Sequence, residues 1–396
     1  MTSSDKSKLN KSGLQPDGSF ASLRVAIVHY WFVGWAGGEM VVEALADIFP
    51  QADLFALIAK PETMSPKLRS RKLTTSFLQK IPMVHRFHRH TLPLQPIALE
   101  QFDLSSYDLV LSSESGPAKG VITGPNTLHV CYCHSPMRYI WDMYPQYVKT
   151  MSPLVRGIFA LTAHKVRLWD FAASARVDAF ICNSSHVAAR VRKFYKRESV
   201  VIHPPVQVKS VGISEVQSDY YLAVGRLVPY KRFDLAIQAC NKLGRRLKII
   251  GSGPEISRLK QIAGPTIEFL GSVTDAEKSV AFTACRALIF PGEEDFGIVP
   301  VEAQAHGRPV IAFGAGGALE TVVDLQEGSN DQLYMPTGVF FPEESVDSLI
   351  EGITRFEANK DRFIATAIRQ HALGFDAQVF RERMTLTIQE LLAERE

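Results

Sequence analysis

Two carboxylates, Glu294 and Glu302, flank a loop-to-helix turn and are the first candidates for chemistry. The stretch reads Phe290-Pro291-Gly292-Glu293-Glu294-Asp295-Phe296-Gly297-Ile298-Val299-Pro300-Val301-Glu302-Ala303-Gln304-Ala305-His306-Gly307. Pro300 fits the first turn of a helix, where a missing N–H costs little. Ile298, Val299, Val301, Ala303 and Ala305 predict a buried helix that ends at Gly307. The amides at its start and the positive end of its dipole suit a phosphate. An acid on an otherwise apolar helix needs a partner, and a ribose diol would serve Glu302. Glu294 is equally consistent with a plain surface charge.

A second group of residues is cationic. Gly225-Arg226-Leu227-Val228-Pro229-Tyr230-Lys231-Arg232 packs a glycine, arginines and a lysine into one strand-to-helix loop. Arg grips a phosphate through two parallel hydrogen bonds, and Lys acts as a point charge, so Arg226 and Lys231 read as a diphosphate site or as a solvated basic loop. A third candidate is His134, in His134-Ser135-Pro136-Met137-Arg138-Tyr139-Ile140-Trp141, directly after an apolar run. A histidine at the carboxyl end of a parallel strand lies where such sheets bind ligands, although a lone histidine there is often structural.

Short apolar runs must position these groups. Residues 24–30, 107–113, 128–133 and 177–182 read as buried strands of a first domain, and 219–224, 247–250, 266–270, 287–290, 309–313 and 338–341 as those of a second. Strands alternate with helical patterns, so the expected class is α/β with two Rossmann-like domains. The domain limits are a disordered polar tail over 1–20, a first domain over 21–205, and a linker over 206–218 after Pro204-Pro205. A second domain follows over 219–375, and a helix over 376–396 is expected to cross back to the first domain. The loop Gly34-Trp35-Ala36-Gly37-Gly38-Glu39 follows the first strand but lacks the GxGxxG spacing of a dinucleotide fold.

Length, at 396 residues, allows two domains, and no apolar run is long enough to span a bilayer. The polar stretch from Met1 to Phe20, with its Lys, Ser and Gly, is not expected to act as a signal peptide. Five scattered cysteines form no CxxC pair, so no metal site is expected and a reducing, cytoplasmic setting is the default. The net charge of +3 decides nothing about nucleic acid, no nucleic-acid motif accompanies it, and none is expected as a partner. Residues 60–90 gather Lys67, Arg69, Arg71, Lys72, Lys80, Arg86 and Arg89 with interleaved Phe77, Leu78, Ile81, Met83, Val84 and Phe87. This fits either an anionic membrane surface or a solvated helix–loop packed on its own domain.

The ordered set Glu294-x7-Glu302, Gly225-Arg226-x4-Lys231, Gly251-Ser252-Gly253-Pro254 and Gly316-Gly317-x2-Glu320 resembles the large group 1 family of retaining, nucleotide-sugar-dependent glycosyltransferases. The His134–Trp141 segment is most similar to the bacterial polysaccharide and O-antigen mannosyltransferases among them. The resemblance implies a GT-B fold, two Rossmann-like domains facing an interdomain cleft. It implies transfer of a sugar, with mannose from GDP-mannose foremost, to a glycan or lipid-linked saccharide in cell-surface polysaccharide synthesis. No cofactor or metal is implied; the nucleotide-sugar donor is a co-substrate. By the same resemblance Gly37 and Gly38 approach the donor phosphate and the acceptor. Arg226, Lys231, Gly297, Ile298 and neighbouring Phe296 meet the diphosphate. Glu294 binds the sugar, Glu302 the ribose, Gly253 and Val273 border the nucleotide, and His134 contacts the donor sugar. Arg138, Tyr139 and Trp141 are further candidates, the aromatics as a sugar platform or as core. A lipid-linked acceptor would place the chain at the inner face of the plasma membrane. A UDP-sugar transferase, an epimerase or phosphorylase on the same fold, and a non-catalytic binding protein remain open alternatives.

Overall fold

A computed structural model of the chain describes residues 20–149, 151–214, 217–326 and 335–395. The tail expected over 1–20 lies outside the described residues except for Phe20, which is buried. The chain divides into two compact units, one of Met1–His203 with Phe380–Glu396 and one of Pro204–Val379.

The first unit is built on a parallel sheet of seven strands: β1 (Val25–Phe32), β2 (Asp53–Ala59), β3 (Leu73–Thr75), β4 (Leu109–Glu114), β5 (Leu128–Cys133), β6 (Ala179–Cys182) and β7 (Val200–Val201). Their order is β3-β2-β1-β4-β5-β6-β7, so the winding reverses between β1 and β4. Alternate residues of β1 enter separate cores: Val25 and Ile27 on one face, Ala26 and Val28 on the other. That two-sided burial is why the strands read as continuous apolar runs rather than as alternating ones. Phe380, Met384, Ile388 and Leu392 of the Ala377–Ala393 helix recur every fourth residue and join the core beneath β1. The Phe380 ring lies edge-on to Tyr132, with centroids 5.7 Å apart.

The second unit holds six parallel strands: β8 (Tyr221–Val224), β9 (Leu247–Ile250), β10 (Ile267–Gly271), β11 (Leu288–Phe290), β12 (Val310–Phe313) and β13 (Gly338–Phe341). Their order is β10-β9-β8-β11-β12-β13, and here the winding reverses between β8 and β11. Ile289 and Ile311 point into one core, Leu288, Val310 and Ala312 into the other. The stretch expected as a linker is built into this unit instead. Val206 and Val208 are buried with Phe296, Val301, Ala305, Ala372 and Phe375, and Val206 pairs with the backbone on both sides of Asp376. The physical reason is the apolar–polar–apolar alternation of Val206-Gln207-Val208, which forms a short extended segment with one buried face.

Candidate functional site

In an open parallel sheet, ligands bind beyond the carboxyl ends of the strands where the winding reverses. In the second unit that point lies between the loops after β8 and β11. These two loops carry Arg226 and Lys231 on one side and Glu294 on the other. Glycines let the loops touch backbone to backbone. A Cβ on Gly292 would fall 2.4 Å from the Tyr230 carbonyl oxygen, and one on Gly253 would fall 2.3 Å from that of Leu227. A Cβ on Gly251 would fall 1.8 Å from the Gly225 carbonyl oxygen, and the residue's φ of +139° suits glycine besides. Gly316-Gly317 closes on the β11 loop in the same way, with the Gly317 amide donating to the Glu294 carbonyl at 2.9 Å.

Within that frame the Lys231 ammonium meets a Glu294 carboxylate oxygen at 2.6 Å. The side chains are 13% and 20% exposed. Burial works against the Lys231 charge, but the carboxylate outweighs it and the lysine pKa is raised. Gly225 gives the lysine its path, since a Cβ there would lie 3.0 Å from Nζ. Arg226 is exposed, and its guanidinium has no hydrogen-bond or ion-pair partner among the described residues. The Ile298–Ala305 helix starts after Gly297, whose φ is +88°, and no side chain caps it. Glu302 lies on this helix and pairs with Lys278 of the Asp275–Ala284 helix at 3.0 Å. Burial raises the Glu302 pKa while Lys278 pulls it down, and the net direction is upward. Val273 packs partly buried among Leu222, Ile250 and Phe282. Ile298 lies at the edge of the Phe296 cluster.

The first unit has a corresponding array at its own reversal. His134 follows β5; its backbone N–H donates to the Glu114 carbonyl at 2.7 Å, and its Nε2 lies 2.9 Å from the Ser113 hydroxyl at the end of β4. The same hydroxyl lies 3.1 Å from Nδ1 of His29 on β1. His29 Nε2 lies 3.7 Å from Glu39, whose carboxylate accepts the Ala36 amide at 3.0 Å and so holds the start of the Gly37–Ile48 helix. Gly38 is needed here because a Cβ would lie 3.1 Å from the Tyr30 hydroxyl and 3.3 Å from His29. Burial, with His29 alongside, lowers the His134 pKa to about 3, so its imidazole is neutral at physiological pH. It works as a hydrogen-bonding group, not as a charge.

Several of the candidates are committed to partners within the protein. The Phe296 side chain is 3% exposed and packs in the core with Val301 and Phe375, so only its backbone could meet a ligand. Trp141 is not a sugar platform: its indole N–H donates to Asp170 at 2.7 Å and its ring stacks on Phe194. Asp170 also takes the Tyr195 hydroxyl and the ammonium of Lys119, which bonds Glu114 at 2.6 Å, all in the interior. Arg138 faces Asp142 at 4.0 Å, and the Tyr139 hydroxyl meets the Met137 sulfur at 3.0 Å. In the basic stretch Lys67 pairs with Asp47, Lys72 with Asp53, and Arg71 caps the Ala46 carbonyl of the Gly37–Ile48 helix. Those cations are spent within their own unit. Lys278, His29, Ser113 and Glu39 were missed. Only Glu39 left a trace in the sequence, as an acid two residues into a glycine-led helix, a position that favours negative charge.

Residues 206–371 match the family described as glycosyl transferases group 1. An uncharacterized glycosyltransferase of Methanocaldococcus jannaschii is 30% identical over 161 residues, 39% of this chain and 46% of that protein. An alpha-1,3/1,6-mannosyltransferase of Kluyveromyces lactis is 23% identical over 68% of this chain and 63% of its own. The chain thus spans about half to under two-thirds of these curated relatives. Among solved structures, Anabaena HepE in complex with UDP superposes with a TM-score of 0.66 at 16% identity, covering 93% of this chain and 100% of that one. Residues 206–371 thus carry the likeness to the group 1 glycosyltransferases, and the two parallel-sheet units are those of the GT-B fold.

Proposed function

We propose that this chain transfers a sugar from a nucleoside diphosphate to an acceptor hydroxyl with retention of anomeric configuration, and that GDP-mannose is its donor. The observation that carries this is the Lys231–Glu294 pair held by glycine-closed loops where the second sheet reverses, with the exposed Arg226 on the same loop. The bond between the anomeric carbon and the diphosphate breaks as the acceptor oxygen bonds that carbon on the same face. The acceptor proton passes to the leaving phosphate. Arg226, Lys231 and the uncapped amides after Gly297 stabilise the charge that develops on the diphosphate, so no metal ion is required. When the diphosphate draws Lys231 away, Glu294 is released to accept hydroxyls of the sugar. Glu302, tethered by Lys278, accepts from the ribose. His134 offers a neutral imidazole to a sugar hydroxyl at the carboxyl end of β5. The acceptor class is a glycan or lipid-linked saccharide.

The mannosyl donor is supported by likeness to the Kluyveromyces enzyme and by the His134–Trp141 segment. A UDP-sugar donor is the second reading, favoured by the UDP complex of the Anabaena neighbour. Thermal denaturation with GDP, UDP and ADP separates them, because a ligand that binds only the native state raises its melting point. Assay of labelled GDP-mannose with EDTA present then tests transfer without a metal. Transfer of the labelled mannose to the acceptor with release of GDP, and no release without acceptor, is expected. Interconversion of the donor alone would instead mean an epimerase, and binding without turnover a non-catalytic protein.

A further inference from the structure

The Pro153–Ser174 helix of the first unit, 22 residues long, is apolar on two opposite sides. Ala163, Val166 and Ala173, with the paired Asp170, face the protein and are buried. Leu154, Ile158, Leu161 and Leu168 follow the spacing i, i+4, i+7, i+14 along the other side and are 76%, 60%, 69% and 61% exposed. Val155 and Phe171 flank this row and are exposed too. An apolar row that runs over Leu154, Ile158 and Leu161 and resumes at Leu168 beyond Lys165, rather than scattered leucines, marks an interaction surface.

Charge decides what covers it. From Met143 to Trp169 the chain has no Asp or Glu, and Arg156, His164 and Lys165 are exposed on the helix. Packed against this helix through Leu92 is the His88–Leu94 turn of the basic stretch. There, too, Met83 to Leu99 contains no acid, while Arg86, Arg89, Met83, Phe87 and Leu94 are exposed. A symmetric pairing of two copies would bring these cations against each other. Among the described residues no helix is long and apolar enough to cross a membrane, so this one would lie along a surface.

We propose that the outward face of the Pro153–Ser174 helix, with Arg86 and Arg89 beside it, docks the chain on an anionic lipid bilayer. Leu154, Ile158 and Leu161 enter the acyl boundary while Arg156 and Lys165 reach the headgroups. This surface is independent of the sugar chemistry above, and of Lys67 and Lys72, which are paired within their unit.

Co-sedimentation with vesicles of phosphatidylcholine and phosphatidylglycerol, against phosphatidylcholine alone, tests it in the full chain. The wild type is expected on the anionic vesicles, with binding that falls as salt rises. Leu154→Ser/Ile158→Ser/Leu161→Ser should lose more than about tenfold in affinity. Arg156→Gln and Lys165→Gln should each lose about fivefold. Lys67→Gln/Lys72→Gln should bind as wild type, and nucleotide binding should be unchanged in every variant. If the serine variant does not fold, Leu161→Trp replaces it, with a blue shift of indole emission expected on anionic vesicles only. Absence of wild-type binding, undiminished binding by the serine variant, or a wild-type dimer that the serine variant dissolves would each overturn the proposal.

Discussion

Replacing Lys231 by Met strands Glu294 in a place built for a pair. A buried ion pair that loses one partner costs about 3–5 kcal/mol, because the remaining charge keeps its desolvation penalty without its attraction. Here the side chains are 13% and 20% exposed, so water relieves part of that, and about 2 kcal/mol is a fair expectation. For a unit the size of Pro204–Val379 this lowers its melting temperature by roughly 4–8 °C. Lys231→Met/Glu294→Leu, which removes both charges, should recover most of the loss. A coupling energy of about 1.5 kcal/mol should therefore emerge from the double-mutant cycle by calorimetry. The lysine pKa is raised, so its contribution is fully present below the ordinary lysine value of about 10.4 and is lost as pH rises through the raised one. The difference between wild type and Lys231→Met should therefore be flat across neutral pH and shrink in alkali. Binding supplies the second readout. Loss of a charge-assisted contact should weaken GDP about 10–100-fold while leaving guanosine unaffected. Equal melting temperatures, or an unchanged Kd for GDP, would refute the reasoning that puts this pair at the diphosphate.

Gly251→Ala would drive a methyl into the Gly225 carbonyl at a φ unsuited to alanine, and a loss of more than about 2 kcal/mol is expected in thermal denaturation. Glu302→Gln should weaken GDP binding more than binding of its dideoxyribose analogue, measured by calorimetry; equal losses would remove Glu302 from the ribose. Lys119→Met leaves Glu114 and Asp170 facing each other in the interior and should destabilise by about 3–5 kcal/mol with GDP affinity intact. The folded His134 and His129 pKa values, about 3 and about 4, lie below the unfolded value near 6.5. Their contribution to stability is present above that value and is lost as pH falls toward the folded ones. Denaturant midpoints should drop in that window, and less so in a His129→Gln variant.

Local spacing made Lys231, Glu294 and Glu302 visible, because each lies a few residues from a glycine or proline that announces a strand end. The partners across the sheet were not visible in the same way. Lys278 reaches Glu302 from a helix whose own pattern gives no reason to single out one lysine. Ser113 and His29 sit inside runs that read as plain strands, and only β1 lying beside β4 brings them within reach of His134. The role of Phe296 and Trp141 was open for the opposite reason: aromatic residues in loops have the same composition whether they face a ligand or fill a core, and here both fill core. The cations of residues 60–75 looked free because Asp47 and Asp53, which take up Lys67 and Lys72, lie about twenty residues upstream. The Pro153–Ser174 helix passed unnoticed since a helix apolar on both sides has a weak amphipathic signal.

The last helix carries a consequence for biogenesis. Phe380, Met384 and Ile388 occupy the core beneath β1, yet they are synthesised after the whole of Pro204–Val379. On the ribosome, the opening domain waits with a greasy slot that nothing upstream can fill, whereas the later domain has all its strands and can mature first. A stop codon ahead of Phe380 would thus damage the portion of the protein made earliest.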